Sequence, residues 1–249
     1  LSGLSFCVFD LFSNKIITTM LINFEKNKVV EEQLWRTFVD YPILTKSYDE
    51  VMVVHDNNLN ALVPTSLFDA NFLASYLQYN TKVFETDFFT YDVVFPYEMN
   101  NIYVPFVNIN NFLLDQYETF EYQNANSILV KQLLNLSKNK EEKQVFVHIQ
   151  KEHFELIVVK NQQLILFNSF QYKTPEDFIY YILFTFEQLQ LNPETILVQI
   201  LGNCSEDGAC FKIAFQYIRN CSLLDVTSKA SILDVTPTAL RNHFILYHS

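Results

Sequence analysis

The alternation of hydrophobic and polar positions predicts a β-hairpin at the start of the chain. Residues 4–11 (LSFCVFDL) form a short, mostly apolar run, and residues 16–24 (IITTMLINF) form a second run that is rich in β-branched side chains. Between the two runs, residues 13–15 (SNK) favour a turn. The two runs are therefore expected to pair as antiparallel strands.

A helix, a short strand and a second helix are predicted to follow. Apolar residues recur at helical spacing over residues 30–41, at positions 30, 34, 38 and 41. Residues 51–55 (VMVVH) are an apolar run suited to a buried strand. Pro64, Thr65 and Ser66 are typical of a helix start, so the second helix is expected to extend from there to Leu77.

The middle of the chain contains further strand signals and the most polar segment. Residues 91–97 and 102–107 are predicted to be strands, with residues 99–101 as their turn, and residues 125–136 have the pattern of an amphipathic helix. The polar segment 137–143 (SKNKEEK) is the best candidate for a domain boundary.

The second half repeats the order of elements that the first half predicts. Two strands are expected within residues 146–159 and another over 164–170, and a helix is expected from the Thr174 cap to about Leu189. The strand and helix that follow are predicted at residues 196–201 and 205–220.

An internal duplication explains this order. Phe6 then falls opposite Phe154, Phe24 falls opposite Phe170, and residues 51–55 fall opposite residues 196–200. We therefore expect an α/β protein with mixed sheets that is built from two lobes, one over residues 1–137 and one over residues 144–249.

Composition and charge narrow the possible functions. The 249 residues include 24 Phe and 14 Tyr, which is ample apolar surface for a core, but no apolar run is long enough for a membrane helix. A net charge of −11 repels phosphate backbones and disfavours nucleic-acid binding. Four cysteines without a Cys-x-x-Cys pair fit buried thiols in a reducing, cytoplasmic compartment.

The predicted order of elements is similar to the ribonuclease H-like lobe that is doubled in the actin, Hsp70 and sugar-kinase superfamily. The segments LSGLSFC (residues 1–7) and VHIQKEHFEL (residues 147–156) resemble an uncharacterised bacterial family, domain of unknown function 3822. This resemblance covers nearly the whole chain, and it implies an actin-like ATPase fold.

The resemblance also implies where a nucleotide would bind. Actin-like ATPases carry Asp-x-Gly at the first hairpin, Asp-x-Gly-x-Gly-Thr at the second and Gly-Gly after the last core strand, because carboxylates hold Mg²⁺ and glycines expose backbone N–H groups to phosphates. Here the first hairpin offers Gly3 without an acid, and the second offers neither Asp nor Gly. The matching positions of the cleft between the lobes are Gly3, Gln150, Lys151, Gly202 and Asn203.

These departures favour a protein that is not an enzyme. With only three glycines in the chain, a backbone cradle for a triphosphate is hard to build. The first hypothesis is a non-catalytic pseudo-ATPase, without a cofactor, that binds another protein through the cleft or an outer aromatic surface. The alternative is a divergent ATPase or phosphotransferase that binds ATP and Mg²⁺ in the cleft. A third is a cytoplasmic assembly factor that binds a peptide, as pilus-associated actin-like proteins do.

Other candidate chemistry is weaker. His148 and His153 lie on either side of a predicted hairpin, where a shared metal site is conceivable. Cys204, just ahead of a predicted helix, is the one cysteine placed for thiolate chemistry. Acids near strand or loop ends could act as catalytic carboxylates, but they are more typical of solvated surface; these are Asp10, Asp56, Glu206 and Asp207. We predict no catalytic residue and no metal site.

Overall fold

The computed structural model describes residues 2–79, 81–84 and 86–249. The chain divides into two compact units, of which the first extends to Ile128 and includes Ser249, and the second covers Leu129–His248. Each unit has its own sheets and its own hydrophobic core. Both units mix helices with strands, so the predicted α/β class is confirmed.

The described part of the first unit contains three small sheets. Its strands are β1 (Gly3–Asp10), β2 (Lys15–Asn23), β3 (Met52–His55), β4 (Asn60–Pro64), β5 (Thr90–Val93), β6 (Met99–Tyr103) and β7 (Glu121–Asn124). Its helices are α1 (Val30–Asp40), α2 (Leu73–Leu77), α3 (Val107–Tyr117) and the start of α4 (Ala125–Leu136), which continues into the second unit. Antiparallel β1 and β2 form one sheet, parallel β3 and β7 form another, and the third has the antiparallel order β4-β6-β5.

The second unit is built on one five-stranded sheet. Its strands are β8 (Gln144–Ile149), β9 (His153–Lys160), β10 (Gln163–Gln171), β11 (Leu197–Gly202) and β12 (Asn220–Leu223). Its remaining helices are α5 (Pro175–Gln188), α6 (Ala209–Tyr217), α7 (Thr227–Leu233) and α8 (Pro237–Asn242). The strand order is β10-β9-β8-β11-β12, with β8 antiparallel to β9 and parallel to β11.

The core of the second unit forms around central strands that are mostly apolar and are buried on both faces. All six residues of β8 are buried, and so are the residues of β9 from Phe154 to Val159. Helix α5 covers one face with Phe178, Ile182 and Phe186. It begins at the predicted cap, where Thr174 Oγ1 accepts the Asp177 N–H and the Asp177 carboxylate accepts the Thr174 N–H.

The described residues of the first unit include two smaller clusters of buried apolar residues. One joins the β1–β2 hairpin to α1, where Phe6 and Phe24 meet Leu34 and Phe38. The other lies beneath the sheet that contains β4 and β6, and it includes Ala61, Leu77 and Ile102. These clusters stabilise two separate parts of the unit, since burial of apolar surface is the main favourable term in folding.

The first hairpin, α1, α4, α5 and β11 are close to the predicted positions, but the helix over residues 64–77 is wrong. Pro64 instead ends β4, and the α-helix is confined to Leu73–Leu77. Proline is tolerated in β4 because, among the described strands, β4 is an edge strand that pairs with β6.

Two further predictions in the chain need correction, and two elements were missed. Residues 99–101 are not a turn but the start of β6, which pairs with β4 and β5. Helix α3 and strand β7 were not predicted. The helix expected over residues 205–220 is shorter, because Asn220 already begins the edge strand β12.

No helix in the described ranges combines the length and the apolar character that a membrane crossing needs.

Candidate functional site

A buried cluster of one carboxylate and two imidazoles lies on the β8–β9 hairpin, and we call it the His–Glu–His cluster (His148, His153 and Glu155). His148 Nδ1 lies 2.8 Å from Glu155 Oε2, and His153 Nε2 lies 3.1 Å from Glu155 Oε1. Glu155 and His148 are almost fully buried, whereas His153 is half-buried. Both carboxylate oxygens are therefore engaged by side chains of the same hairpin.

The register of the hairpin brings these three side chains together. His148 on β8 is paired directly with Glu155 on β9, so the two side chains lie side by side on one face of the sheet. His153 is two residues before Glu155 on the same strand and so points to that same face. The two histidines that the sequence placed on either side of the hairpin thus meet on the carboxylate between them.

The electrostatics of the cluster favour an ionised carboxylate. Burial by itself raises the pKa of Glu155, but the hydrogen bonds and charges of His148 and His153 outweigh it and lower the pKa to about 2. A carboxylate that is charged at neutral pH and bonded on both oxygens is satisfied within the fold.

Gly202 and Asn203, two of the predicted nucleotide-site positions, contact the backbone of β8. Gly202 has a φ of +87°, and a Cβ placed there would lie 2.3 Å from the carbonyl oxygen of Ile149. The Asn203 N–H donates to that same oxygen, over 2.7 Å. The glycine is therefore required for the close approach of β11 to β8, and the amide that follows it is already bonded within the protein.

Gln150 and Lys151 lie in the turn between β8 and β9. The Gln150 N–H donates to the carbonyl oxygen of His153 over 2.9 Å, and the Tyr172 hydroxyl donates to the Gln150 carbonyl oxygen over 2.8 Å. The side chain of Lys151 is exposed. The turn thus has one exposed cation, Lys151, and the backbone N–H of Gln150 is already used in the hydrogen bond across the hairpin.

Gly3, the remaining predicted position, belongs to the first unit. It pairs with Asn23 on β2, and a Cβ there would lie 2.3 Å from the carbonyl oxygen of Ile22. Because Gly3 has no side chain, β1 can approach β2 closely at this position. The other four positions all belong to the second unit.

A second polar cluster, in the first unit, was missed by the sequence analysis. Asp92 on β5 is buried, and its carboxylate accepts hydrogen bonds from the Tyr103 hydroxyl, the Asn124 N–H and the Ser127 hydroxyl. The aspartate therefore joins β5 and β6 to the first turn of α4. The signal available in the sequence was an acid in the middle of an apolar strand-like run, TYDVV at residues 90–94.

Buried asparagines extend the Asp92 network. Asn101 Nδ2 donates to Ser127 Oγ over 2.9 Å, and Asn60 Nδ2 donates to Asn101 Oδ1 over 2.9 Å. Asn126 Nδ2 then donates to Asn60 Oδ1 over 3.0 Å. Desolvation by burial raises the pKa of Asp92, although the hydrogen bonds from Ser127, the Asn124 N–H and Tyr103 oppose that shift. The network is enclosed by the fold, so it serves to hold elements together.

Three of the other candidates, Cys204, Glu206 and Asp207, lie just ahead of α6. Burial raises the pKa of Cys204 to about 12, so its thiol stays protonated at neutral pH. Glu206 and Asp207 are exposed.

In residues 2–79, 81–84 and 86–249, no group of three or more His, Cys, Asp and Glu side chains could hold a metal ion. Of the four cysteines, Cys221 is buried and the other three are half-buried, so the expectation of four buried thiols was too strong.

One open groove of about 490 Å³ lies beside the edge strand β12. Its apolar wall includes Phe211, Phe215 and Leu223, and Asp225 and Arg241 supply charges of opposite sign. The candidate positions Gln150, Lys151, Gly202 and Asn203 do not line this groove.

Comparisons with known proteins agree with this fold. A family model described as "Protein of unknown function (DUF3822)" matches residues 1–221. A Bacteroides thetaiotaomicron VPI-5482 protein, described as having an actin-like ATPase fold and unknown function, superposes with a TM-score of 0.82 and 19% identity, over 93% of this chain and 91% of that chain. The fold is therefore actin-like, as the sequence resemblance predicted.

A second structural neighbour is more distant. A chain of the PilM–PilN type IV pilus biogenesis complex superposes with a TM-score of 0.61 and 10% identity, over 99% of this chain and 94% of that chain. At this identity the likeness concerns the fold alone. No curated protein matches the sequence.

Proposed function

This chain belongs to the DUF3822 family of proteins of unknown function, and we propose that it is a non-catalytic, protein-binding member of the actin-like fold, a pseudo-ATPase that works without nucleotide. Its partner is another protein and not a nucleic acid, since the net charge is −11.

The observation that carries the proposal is the state of the β8–β9 hairpin. Actin-like ATPases, which the chain resembles, carry an acid and glycines in this hairpin to hold Mg²⁺ and phosphate. Here the one buried acid, Glu155, is bonded by His148 and His153. The backbone amides of Gln150 and Asn203 donate within the protein. A nucleotide would have to break these bonds in order to gain its own.

An exposed aromatic strip on α5 supports a role in protein binding. Tyr180 and Phe184 are 61% and 46% exposed, and their rings stack with centroids 6.2 Å apart. Tyr180 also contacts Tyr181, whose ring stacks on Phe170. Aromatic side chains are enriched at protein interfaces, where they bury large areas at low entropic cost. The likeness to a chain of the PilM–PilN complex agrees with such a role.

We place the protein in the cytoplasm. All four cysteines are thiols, and burial raises the pKa of Cys7 and Cys221 to about 11. A reducing compartment is the setting in which such thiols persist.

Isothermal titration with Mg-ATP tests the loss of nucleotide binding. We expect no heat of binding up to about 1 mM nucleotide, which corresponds to less than about 4 kcal/mol of binding free energy. Lys151→Ala is the matched variant, because Lys151 is the one exposed cation in the hairpin turn of residues 150–152. Micromolar affinity that this substitution removes would instead establish the alternative, an ATP-binding enzyme.

Affinity capture from native extract tests the aromatic strip. The wild-type chain is compared with Tyr180→Ala/Phe184→Ala and with Phe215→Ala, a control at an exposed aromatic residue on α6. A partner that uses the strip should be retained by the wild type and the control but lost, by about tenfold or more, from the double variant. Equal capture by all three proteins would show that binding does not use the strip.

A further inference from the structure

The five-stranded sheet of the second unit has two edges that differ in how they are protected. Strand β10 forms one edge, and its pairing with β9 is interrupted by a register shift between Leu164 and Leu166. Strand β12 forms the other edge, and it pairs with β11 in an unbroken register from Asn220 to Leu223. Bulges, prolines and lysines are common means of preventing further pairing at an edge. Strand β12 (NCSL) is short but has none of these, so its edge is suited to a further strand.

Hydrogen-bond directions identify which residues of β12 face outward from the sheet. The Leu224 N–H donates to the Ile200 carbonyl oxygen of β11 over 2.8 Å. Because the backbone groups of successive residues in a strand point to opposite sides, Ser222 also faces β11, whereas Cys221 and Leu223 direct their N–H and C=O groups away from it. Within the part of the chain that the structure describes, no strand or loop pairs with these outward groups.

A groove follows this edge over its full length. The part already described, of about 490 Å³, borders residues 221–225, and a second part of about 430 Å³ borders Arg219 and Asn220. Phe215 of α6 lines both parts, is 61% exposed and stacks on Phe211 with ring centroids 6.0 Å apart. The unpaired backbone of β12 therefore lies next to an exposed apolar wall.

The two ends of β12 carry exposed charges of opposite sign. Arg219 immediately precedes the strand, and Asp225 follows its last residue by two positions. Neither side chain forms an ion pair with another described residue. The charged residues that line the groove are Glu194, Glu206, Asp225, Arg219 and Arg241. Two chains of net charge −11 repel each other, but this groove is nearly balanced in charge and adds little to that repulsion.

We propose that β12 pairs antiparallel with β12 of a second copy of this chain, so that the protein forms a symmetric dimer through this edge. A two-fold axis at Ser222 places Ser222 opposite Ser222 of the second copy, and Cys221 opposite Leu223 of the second copy. Cys221 and Leu223 are the outward-facing residues, so they can exchange backbone hydrogen bonds. The same register places Arg219 opposite Asp225 of the second copy, and symmetry supplies this ion pair at both ends.

Other registers lose one of these features. A shift by one residue would set the outward-facing Cys221 opposite Ser222, whose backbone groups are directed at β11. A shift by two residues would restore the backbone bonding, but it would leave Arg219 and Asp225 without each other. Charge and hydrogen bonding thus select the same register.

The two-fold axis also brings apolar surfaces together. Antiparallel strands in a sheet are related by an axis perpendicular to it, so helix α6 lies on the same face in both copies. The exposed Phe215 rings of the two copies then border one closed groove, and their removal from water adds to the backbone pairing. Tyr180 and Phe184 do not line the groove, so the dimer is independent of the role proposed for the aromatic strip on α5.

Sedimentation equilibrium with charge reversals tests the dimer. The wild-type chain should show a reversible monomer–dimer equilibrium between about 1 and 100 µM, as expected for a small interface. Arg219→Asp and Asp225→Arg should each weaken dimerisation by about tenfold or more, because each sets like charges opposite one another twice. Combining both reversals in one chain should restore the wild-type dissociation constant to within about threefold.

Arg36→Asp, at an exposed position on α1, is the matched control because it changes the net charge by the same amount. It should leave dimerisation unchanged. A monomer over the whole concentration range would overturn the proposal. So would an equal effect of Arg36→Asp, or a double reversal that dimerises no better than the single ones.

Disulfide trapping tests the register even if a charge reversal disturbs the fold. Opposed residues of a non-hydrogen-bonded pair have Cα atoms about 4.5 Å apart, which a disulfide can span. Mild oxidation of Ser222→Cys should therefore give a covalent dimer, with a bridge between the two introduced thiols that mass spectrometry locates. Asn220→Cys is equally exposed, but in this register its two thiols are separated by four residues along the ladder, about 14 Å.

We expect Asn220→Cys to cross-link at least about tenfold more slowly than Ser222→Cys, and the wild type, with its own four cysteines, to remain uncrosslinked. Failure of Ser222→Cys to form the bridge would overturn the proposed pairing. Equal cross-linking of both variants would also overturn it, since the two strands would then not hold this register.

Discussion

At the scale of single residues, Glu155 determines how the β8–β9 hairpin responds to acid. The pKa of its carboxyl group is about 2 in the folded protein, against an ordinary value of 4.5 in the unfolded chain. A depressed carboxyl pKa contributes stability that is present above pH 4.5 and is lost as the pH falls toward 2. The hairpin therefore depends on an ionised carboxylate.

We expect Glu155→Gln to remove this acid sensitivity. In urea unfolding of the wild type, the Glu155 carboxyl group should lower the free energy of unfolding by on the order of 3 kcal/mol between pH 5 and pH 2. The variant lacks this carboxyl group, so its free energy of unfolding should fall by less over the same pH range. Glu176→Gln, on the exposed first turn of α5, is the matched control and should keep the wild-type profile. Parallel profiles for wild type and Glu155→Gln would contradict the low pKa.

Gly202 is the second residue whose role can be isolated. Gly202→Ala would place a Cβ 2.3 Å from the Ile149 carbonyl oxygen at a φ of +87°. We expect it to lower the free energy of unfolding by about 2–4 kcal/mol. The control is Gly208→Ala, where the nearest atom lies at 3.0 Å and φ is −67°, and where we expect a smaller loss. Urea unfolding measures the loss of unfolding free energy in both variants. Equal losses in Gly202→Ala and Gly208→Ala would contradict a special role for Gly202.

The residue types of the His–Glu–His cluster were visible in the sequence, but their arrangement was not. His148 and His153 are five residues apart, which suggested a shared site, yet the pairing of His148 with Glu155 depends on the register of the hairpin. That register follows from a turn of residues 150–152 whose geometry the local sequence does not specify. The function of the acid between the histidines therefore became evident only from the structure.

At the scale of elements, the Asp92 network joins β5 and β6 to the start of α4. Asp92→Ala would leave the Tyr103 hydroxyl, the Asn124 N–H and the Ser127 hydroxyl without their acceptor in a buried setting. We expect a loss of about 3 kcal/mol in the free energy of unfolding, because each unsatisfied buried donor is costly. Asp115→Ala, at an exposed position on α3, should change it by less than about 0.5 kcal/mol. Similar losses in both variants would contradict the role given to Asp92.

Elements with strong local signals were predicted well, and edge strands were not. Helix α5 has a capping box at Thr174 and Asp177 together with Pro175 at its first position, so its start was evident from the sequence. Strand β4 ends in Pro64, which locally favours a helix start, and its pairing with β6 overrides that preference. Strand β12 is short and partly polar, and it depends on its parallel partner β11.

At the scale of the whole molecule, the net charge of −11 is expected to oppose the approach of nucleic acids. With 28 acidic and 17 basic residues, the long-range field opposes DNA and RNA. Fluorescence anisotropy with a labelled 30-base-pair duplex should show no binding up to about 10 µM protein at 150 mM salt. Binding that persists at this salt concentration would mean that a local basic surface overrides the net charge, and the exclusion of nucleic acid would be wrong.

The overall fold was accessible from the order of elements, whereas the pairing of strands across each sheet was not. The order hairpin, helix, strand recurs in both halves, and this is what carried the resemblance to the actin-like fold. Among the described strands β1 pairs with β2, whereas β9 pairs with both β8 and β10, and the residues of each strand do not encode this difference. The internal duplication itself stays a prediction.

The His–Glu–His cluster also makes the β8–β9 hairpin observable in solution. The ring protons of His148 and His153 resonate in a spectral region with few other signals, and both rings contact a charge that a ligand at the hairpin would disturb. The other three histidines, His55, His243 and His248, provide reference signals in the same spectrum. The chain thus carries its own spectroscopic reporter at the hairpin where a nucleotide would bind if the proposed loss of nucleotide binding were wrong.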